Sequence, residues 1–244
     1  MSATRHEPQT VLLTGAAQGL GAAIARDLAE AGARLLLIDR DATGLETVAR
    51  DCGPETRFAV ADLSDAESTL CALRAFGDAV GEIDTLIHNA AILNPIAFER
   101  ETLEGFRRTL DVGLQAAFLL TQAVWPGMAR RGGGMLVYVS SRSGIMGFGD
   151  EAAYCAAKHG LEGFSKSMAE AGAPHGIASV TITPGMPMHT PMSERNYAPE
   201  MKERWVEPAR LVPAFRHLSV ERPQGLSGQR LDAWAMSQEL AGAP

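Results

Sequence analysis

One repeating pattern constrains the fold more than any other. Short apolar runs, each closed by a polar residue or a glycine, alternate with stretches that favour helix. Val11-Leu12-Leu13 closes at Thr14-Gly15, Leu35 to Ile38 at Asp39, Phe58 to Ala61 at Asp62, and Leu86-Ile87 at His88-Asn89. Met135 to Val139, Ile177 to Ile182 (followed by Pro184-Gly185) and Arg230-Leu231 continue the series. These runs lack the polar alternation of a sheet with one wet face. They predict an α/β fold whose strands are covered on both sides by helices. Helices are expected at Ala22 to Ala29, at about Phe106 to Ala129 with Gly113 weakening the middle, and at Ala152 to Ala171. A glycine-rich loop fills Gly144 to Gly149, and two short helices are expected before Arg230. No linker or composition break divides the chain, so residues 1–244 read as one domain, with 186–206 a candidate substrate lid inside it.

Composition narrows the function. Hydrophobic residues make up 46% and charged residues 21%, an ordinary soluble balance. With 22 basic against 29 acidic residues, the net charge of -7 argues against a nucleic-acid or anionic-membrane footprint. Cys52, Cys71 and Cys155 form no CxxC pair, so neither a disulfide framework nor a thiolate metal site is expected, and a reducing, cytoplasmic setting follows. The polar start (Ser2, Arg5, His6, Glu7, Gln9) lacks the layout of a signal peptide, and no apolar run is long enough to span a bilayer.

The first candidate site lies between the first strand and helix, in Thr14-Gly15-Ala16-Ala17-Gln18-Gly19-Leu20-Gly21. Gly15 permits a tight turn, Gly19 lets a phosphate approach, and Gly21 lets the helix pack closely. The amides from Gln18 and Leu20 onward would face a pyrophosphate. A plain strand-to-helix turn could use the same glycines, but the strand before and the alanine-rich helix after favour a dinucleotide. Asp39 closes the next strand, where a carboxylate accepts from both ribose hydroxyls and repels a 2′-phosphate. That favours NAD over NADP, although the Arg40 guanidinium beside it could tolerate the phosphate. Asp62 closes the third strand, placed either to meet an adenine amine or to cap the following helix.

The second candidate site is a triad. Tyr154 and Lys158 share one helix face at a spacing of one turn, and an ammonium near a phenol favours the phenolate. Ser141 follows the strand holding Val137 and Val139, at the sheet edge where ligand crevices form. Its hydroxyl could hold a substrate oxygen while Tyr154 exchanges the proton. A surface helical pair is the plainer reading of Tyr154 and Lys158 taken alone.

Taken together, these motifs resemble the short-chain dehydrogenase/reductase family from Val11 to about Asp232. Thr14 to Gly21 resembles its TGxxxGxG turn, Tyr154 to Lys158 its YxxxK, and Ser141 its catalytic serine before that tyrosine. Pro184-Gly185 with Thr190 is similar to the turn and threonine that cover the nicotinamide, and Gly228-Gln229 to the approach to its last strand. The resemblance implies a Rossmann-like, doubly wound sheet of seven parallel strands, and a homotetramer or, less often, a homodimer. It implies cofactor contacts from Leu63, Asn89, Ala90, Tyr154, Lys158, Pro184, Gly185 and Thr190. The expected activity is hydride transfer between NAD and a secondary alcohol: a sugar, polyol, hydroxy acid or cyclic diol. The alternatives are an NADPH-dependent ketone or 3-oxoacyl reductase, or a catalytically weak nucleotide-binding protein.

Three features depart from the family pattern. His88-Asn89-Ala90-Ala91 stands in place of NNAG, with His88 expected to pack at a strand end and not to bind metal. Gly113 replaces an asparagine whose backbone carbonyl, in the family, holds a water linked to the lysine. Glycine keeps a carbonyl and accommodates an irregular helix. The segment Pro184 to Thr190 is one residue longer than the common form. Met186, Met188, His189, Met192 and Tyr197 are candidates for the lid, and Arg142 and Ser143 for the pocket rim. Cys155 is expected to point away from the site.

Overall fold

In the computed structural model, residues 8–242 are described; Ser2, Arg5, His6 and Glu7, on which the reading of the N-terminus rests, lie outside them. The chain opens with β1 (Thr10–Thr14), α1 (Gly19–Glu30), β2 (Arg34–Asp39), α2 (Ala42–Cys52), β3 (Thr56–Val60), α3 (Ala66–Phe76) and β4 (Thr85–His88). It continues through α4 (Leu103–Leu110), α5 (Ala116–Arg131), β5 (Gly134–Val139), α6 (Ala152–Gly172) and β6 (Ile177–Thr183). The last elements are α7 (Pro191–Asn196), α8 (Val212–Glu221), β7 (Arg230–Asp232) and α9 (Ala233–Gly242). All seven strands run parallel in the order β3-β2-β1-β4-β5-β6-β7, as a doubly wound Rossmann sheet.

Strand periodicity splits the core in two. Val11, Leu13, Leu35 and Leu37 face one side and pack with Ile24 and Leu28 of α1 and Phe215 of α8. Leu12, Leu36 and Ile38 face the other, against Leu73 of α3, Leu120 of α5 and Leu161 of α6. The continuous apolar runs follow from this double coverage. β3 is the exception: at the sheet edge, Phe58 and Val60 are 39% and 51% exposed, and the expected burial on both faces does not hold there.

The stretch expected as one long helix is broken at the predicted place. Between α4 and α5 the backbone forms a π-helical turn, Asp111–Gln115, centred on Gly113. Because the sheet is parallel, every strand ends at one edge: Thr14 pairs with Ile38 and His88, and His88 with Tyr138. The loops after β1, β2, β3, β4, β5 and β6 therefore converge on one crevice, as open parallel sheets require. Among the described residues, no helix is long and apolar enough to cross a membrane.

Candidate active site

A cleft open to solvent runs along this edge. Its wall includes Gly15, Gln18, Gly19 and Leu20 from the first turn, and Asp39, Arg40, Asp62 and Leu63 from the next two strand ends. Asn89, Ala90, Tyr154, Lys158, Pro184, Met188 and Thr190 line it as expected, whereas Ser141 and Gly185 do not. Ile92, Val112, Ser140, Met192 and Arg195 also line it, of which the sequence had suggested Met192 alone, as part of the lid.

The first turn is built by close approach. Gly15 has φ +65°, and its N–H donates to Ile38 O at 2.9 Å. A Cβ on Gly21 would lie 1.9 Å from Gly15 O, so only glycine lets α1 pack here, behind the cleft wall rather than on it. Asn89 Nδ2 donates to Thr14 O (3.2 Å) and Gly15 O (3.0 Å), tying β4 to the turn. Asp39 is held from both sides: Ala17 N donates to Oδ2 at 3.0 Å and Asp41 N to Oδ1 at 3.1 Å. Arg40 is exposed beside it. The Asp62 carboxylate is occupied, accepting from Ser64 and, at 2.6 Å, from Arg108, which holds its carboxyl below the usual carboxylate range. Helix α3 is capped by Asp65 instead, which corrects the capping alternative for Asp62.

The triad assembles as its spacing predicts. Lys158 is buried, its ammonium 5.4 Å from the centroid of the Tyr154 ring and 2.6 Å from Val139 O, to which it donates. Burial draws its pKa down to about 8, with Glu162 opposing the shift. Ser141 lies within hydrogen-bonding reach of the Tyr154 phenol. Desolvation nevertheless holds that phenol well above the usual tyrosine range, despite the nearby ammonium.

His88 is a packed strand end, as expected. Thr14 Oγ1 accepts from Asn89 N and Ala90 N, so its own proton goes to His88 Nδ1 at 3.0 Å. Nε2 therefore carries the ring proton and meets Val112 O at 3.1 Å, with the Gly113 carbonyl also in reach. Burial lowers the imidazole pKa to about 3, so the ring stays neutral. The carbonyl expected to hold a relay water is thus faced by an imidazole.

The substrate-side residues are divided. Met188 lines the cleft, whereas Met186 and His189 do not. The His189 ring is exposed and sits between Glu194 (2.9 Å) and Glu207 (3.2 Å), which raise its pKa. Gly185 turns with φ +78° against Asp232, and Thr190 caps α7 by accepting from Ser193 N. Arg142 is exposed, its guanidinium 5.8 Å from the centroid of the Phe148 ring, while Ser143 is buried and turned toward Glu151. Cys155 Sγ points to Met146 O, away from the triad. Arg195 on α7 and Glu151, the N-cap of α6 that meets Ser143, were missed because their places depend on tertiary packing and no local pattern marks them.

Known proteins share this architecture. The family described as short chain dehydrogenase matches residues 9–200. D-threitol dehydrogenase of Mycolicibacterium smegmatis is 35% identical over 153 residues, and the match covers 62% of this chain but 59% of that protein's length. The 3-ketoacyl-(acyl-carrier-protein) reductase of Brucella melitensis, solved with NADH, superposes with a TM-score of 0.85 at 27% identity, covering 93% of this chain and 96% of that one. A Beutenbergia cavernae protein with NADP bound at low occupancy gives 0.85 at 28%, covering 93% and 97%. The edge-on cleft and the match over residues 9–200 lead to one assignment: the chain belongs to the short-chain dehydrogenase family.

Proposed function

We propose that the protein is an NAD-linked oxidoreductase acting on a secondary alcohol, in the class of sugars, polyols, hydroxy acids or cyclic diols. The observation that carries this reading is a single cleft with the glycine turn and the clamped Asp39 at one end and Tyr154 with Lys158 at the other. The open strand-end crevice, the close-packed Gly21 and the remaining acceptor lone pairs of Asp39 fit a dinucleotide. Gly15, Gln18, Gly19 and Leu20 would hold its phosphates, Asp39 its adenosine ribose, and Lys158 its second ribose. A bound nicotinamide supplies the hydride acceptor or donor. Tyr154 exchanges the proton of the substrate hydroxyl, and Ser141 orients that oxygen and steadies its charge. Met188 and the rest of 186–206 would cover the substrate as a lid, and residues 1–244 would act as one catalytic domain.

A second reading, an NADPH-dependent ketone or 3-oxoacyl reductase, is favoured by Arg40, exposed on the cleft wall beside Asp39. The name of the Brucella relative agrees with its reductase activity, while that protein was solved with NADH and not NADPH. A screen of secondary alcohols and ketones with both dinucleotides, read by absorbance of the reduced nicotinamide, separates them. Turnover with NAD at low cofactor concentration supports the first reading, and preference for NADP the second. Dinucleotide binding without turnover across the panel would point to the weakly catalytic alternative suggested by Gly113. The three unpaired cysteines support a reducing, cytoplasmic setting. An apolar groove on α5 and α6, lined by Phe118, Trp125, Phe164 and Met168, supports a homotetramer or homodimer.

A further inference from the structure

Two groups beyond Ser141 form a hydrogen-bond chain that leads away from Tyr154, and the mechanism above uses neither. Ser141 Oγ donates to Ser143 Oγ at 3.3 Å, and Ser143 Oγ donates to Glu151 Oε2 at 2.7 Å. Elementary chemistry orders the donors. An ionised carboxylate only accepts, so Ser143 gives its one proton to Glu151 and must accept from Ser141. Ser141 in turn accepts from Ser143 N at 3.2 Å and lies within reach of the phenol. In the free protein both serine hydroxyls therefore point toward Glu151. Ser143 is 3% exposed, which shields the middle of the chain from water. Glu151 is the partly exposed N-cap of α6, where the helix dipole favours a carboxylate and solvent reaches it.

On the opposite side of Tyr154 the contacts are of another kind. Lys158 is bonded to Val139 O, and the neutral His88 imidazole spends its single proton on the Val112 and Gly113 carbonyls. Building on the oxidoreductase reading, we propose that Ser141, Ser143 and Glu151 carry protons between Tyr154 and solvent. In alcohol oxidation, the Tyr154 phenolate takes the hydroxyl proton as the carbon's hydride leaves to the dinucleotide. Tyr154 then gives this proton to Ser141 Oγ, Ser141 passes its own to Ser143, and Ser143 passes its own to Glu151. Each O–H breaks as the next forms, neither serine keeps a charge, and Glu151 releases one proton to water for each hydride transferred. Reduction runs the same chain backwards. Tyr154, Tyr197, Arg142, Asp150 and Cys155 are the titratable groups around this end of the site.

The test compares the parent with Ser143→Ala and Glu151→Gln, with Glu151→Asp as the conservative control. A pH-indicator dye reports proton release while near-ultraviolet absorbance reports hydride transfer. The parent is expected to release protons in step with hydride transfer. Both disrupted variants are expected to lag, with kcat down about tenfold, dinucleotide KM unchanged, and recovery on adding imidazole as a small external base. Glu151→Asp should retain most of the parent rate. In the cofactor-free protein, the Glu151 carboxylate infrared band, identified by difference against Glu151→Gln, should shift in Ser143→Ala. Parental kinetics in both variants, a loss that imidazole does not restore, or an unshifted band would each overturn the relay alone. A parent that transfers no hydride on the full panel would overturn the oxidoreductase reading, and the relay with it.

Discussion

Tyr154 and Lys158 impose opposite demands on their surroundings. The sequence suggests that an ammonium one helical turn away eases ionisation of the phenol, yet in the free protein burial outweighs it. Lys158 lies over the ring face, not at the oxygen, and its charge is turned to Val139 O. The positive nicotinamide of an oxidised cofactor would be the missing contribution to the phenolate. Lysine burial also has a stability consequence. Its pKa falls from 10.5 to about 8, so the folded chain binds this proton more weakly than the unfolded chain. Folding is therefore opposed in full below about pH 8, and the penalty fades as pH rises toward 10.5. Lys158→Met should raise the unfolding free energy at neutral pH by on the order of 3 kcal/mol, less the lost bond to Val139 O, while abolishing turnover. Denaturant titrations at neutral pH and near 10.5 should show that gain shrinking; an equal gain at both would contradict the assignment. At Asp39, replacement by Ala would remove the charge-assisted bonds to a ribose that the proposed function assigns to it. NAD affinity should drop by about ten- to a hundredfold while NADP is spared, as read by fluorescence titration.

At the scale of elements, the π-helical turn at Gly113 shows what local sequence discloses and what it hides. Glycine in the middle of an apolar helix announces a weak point, and the structure breaks the helix there. It does not announce the cause. A Cβ on Gly113 would sit 3.1 Å from Ala157 Cβ, on the residue before Lys158, so a side chain there would push α6 back by a few tenths of an ångström. Gly113→Asn should therefore cost about 1–3 kcal/mol by overpacking and lower kcat by displacing Lys158, as measured by thermal unfolding and turnover. A neutral or activating substitution would contradict this packing argument. The strands and the glycine turn were legible because double burial and tight turns are written in consecutive residues. Tyr154 and Lys158 were legible for the same reason, being one turn apart. The exposure of Phe58 and Val60 was not, since an edge strand carries the same apolar letters as a central one. His189 looked like a pocket residue by its position, but Glu194 and Glu207 draw its ring outward. The contacts of Glu151, at the α6 N-cap, and of Arg195, on α7, come from tertiary packing, which no spacing rule reports.

Across the whole molecule, one parallel sheet gathers six strand ends into a crevice and leaves an apolar groove on the helices of one face. Phe118, 48% exposed there, would be costly to leave in water on an isolated subunit. Phe118→Arg should shift the protein toward a smaller species in sedimentation without unfolding it; an unchanged sedimentation profile would place any interface elsewhere. The central claim is narrower: the cleft that holds the dinucleotide is the cleft in which Tyr154 handles the substrate proton. Single-turnover hydride transfer in Tyr154→Phe tests it most directly, with dinucleotide affinity measured in parallel. A loss of about a hundredfold to ten-thousandfold in rate at unchanged affinity is expected. Transfer at the parental rate would contradict the account.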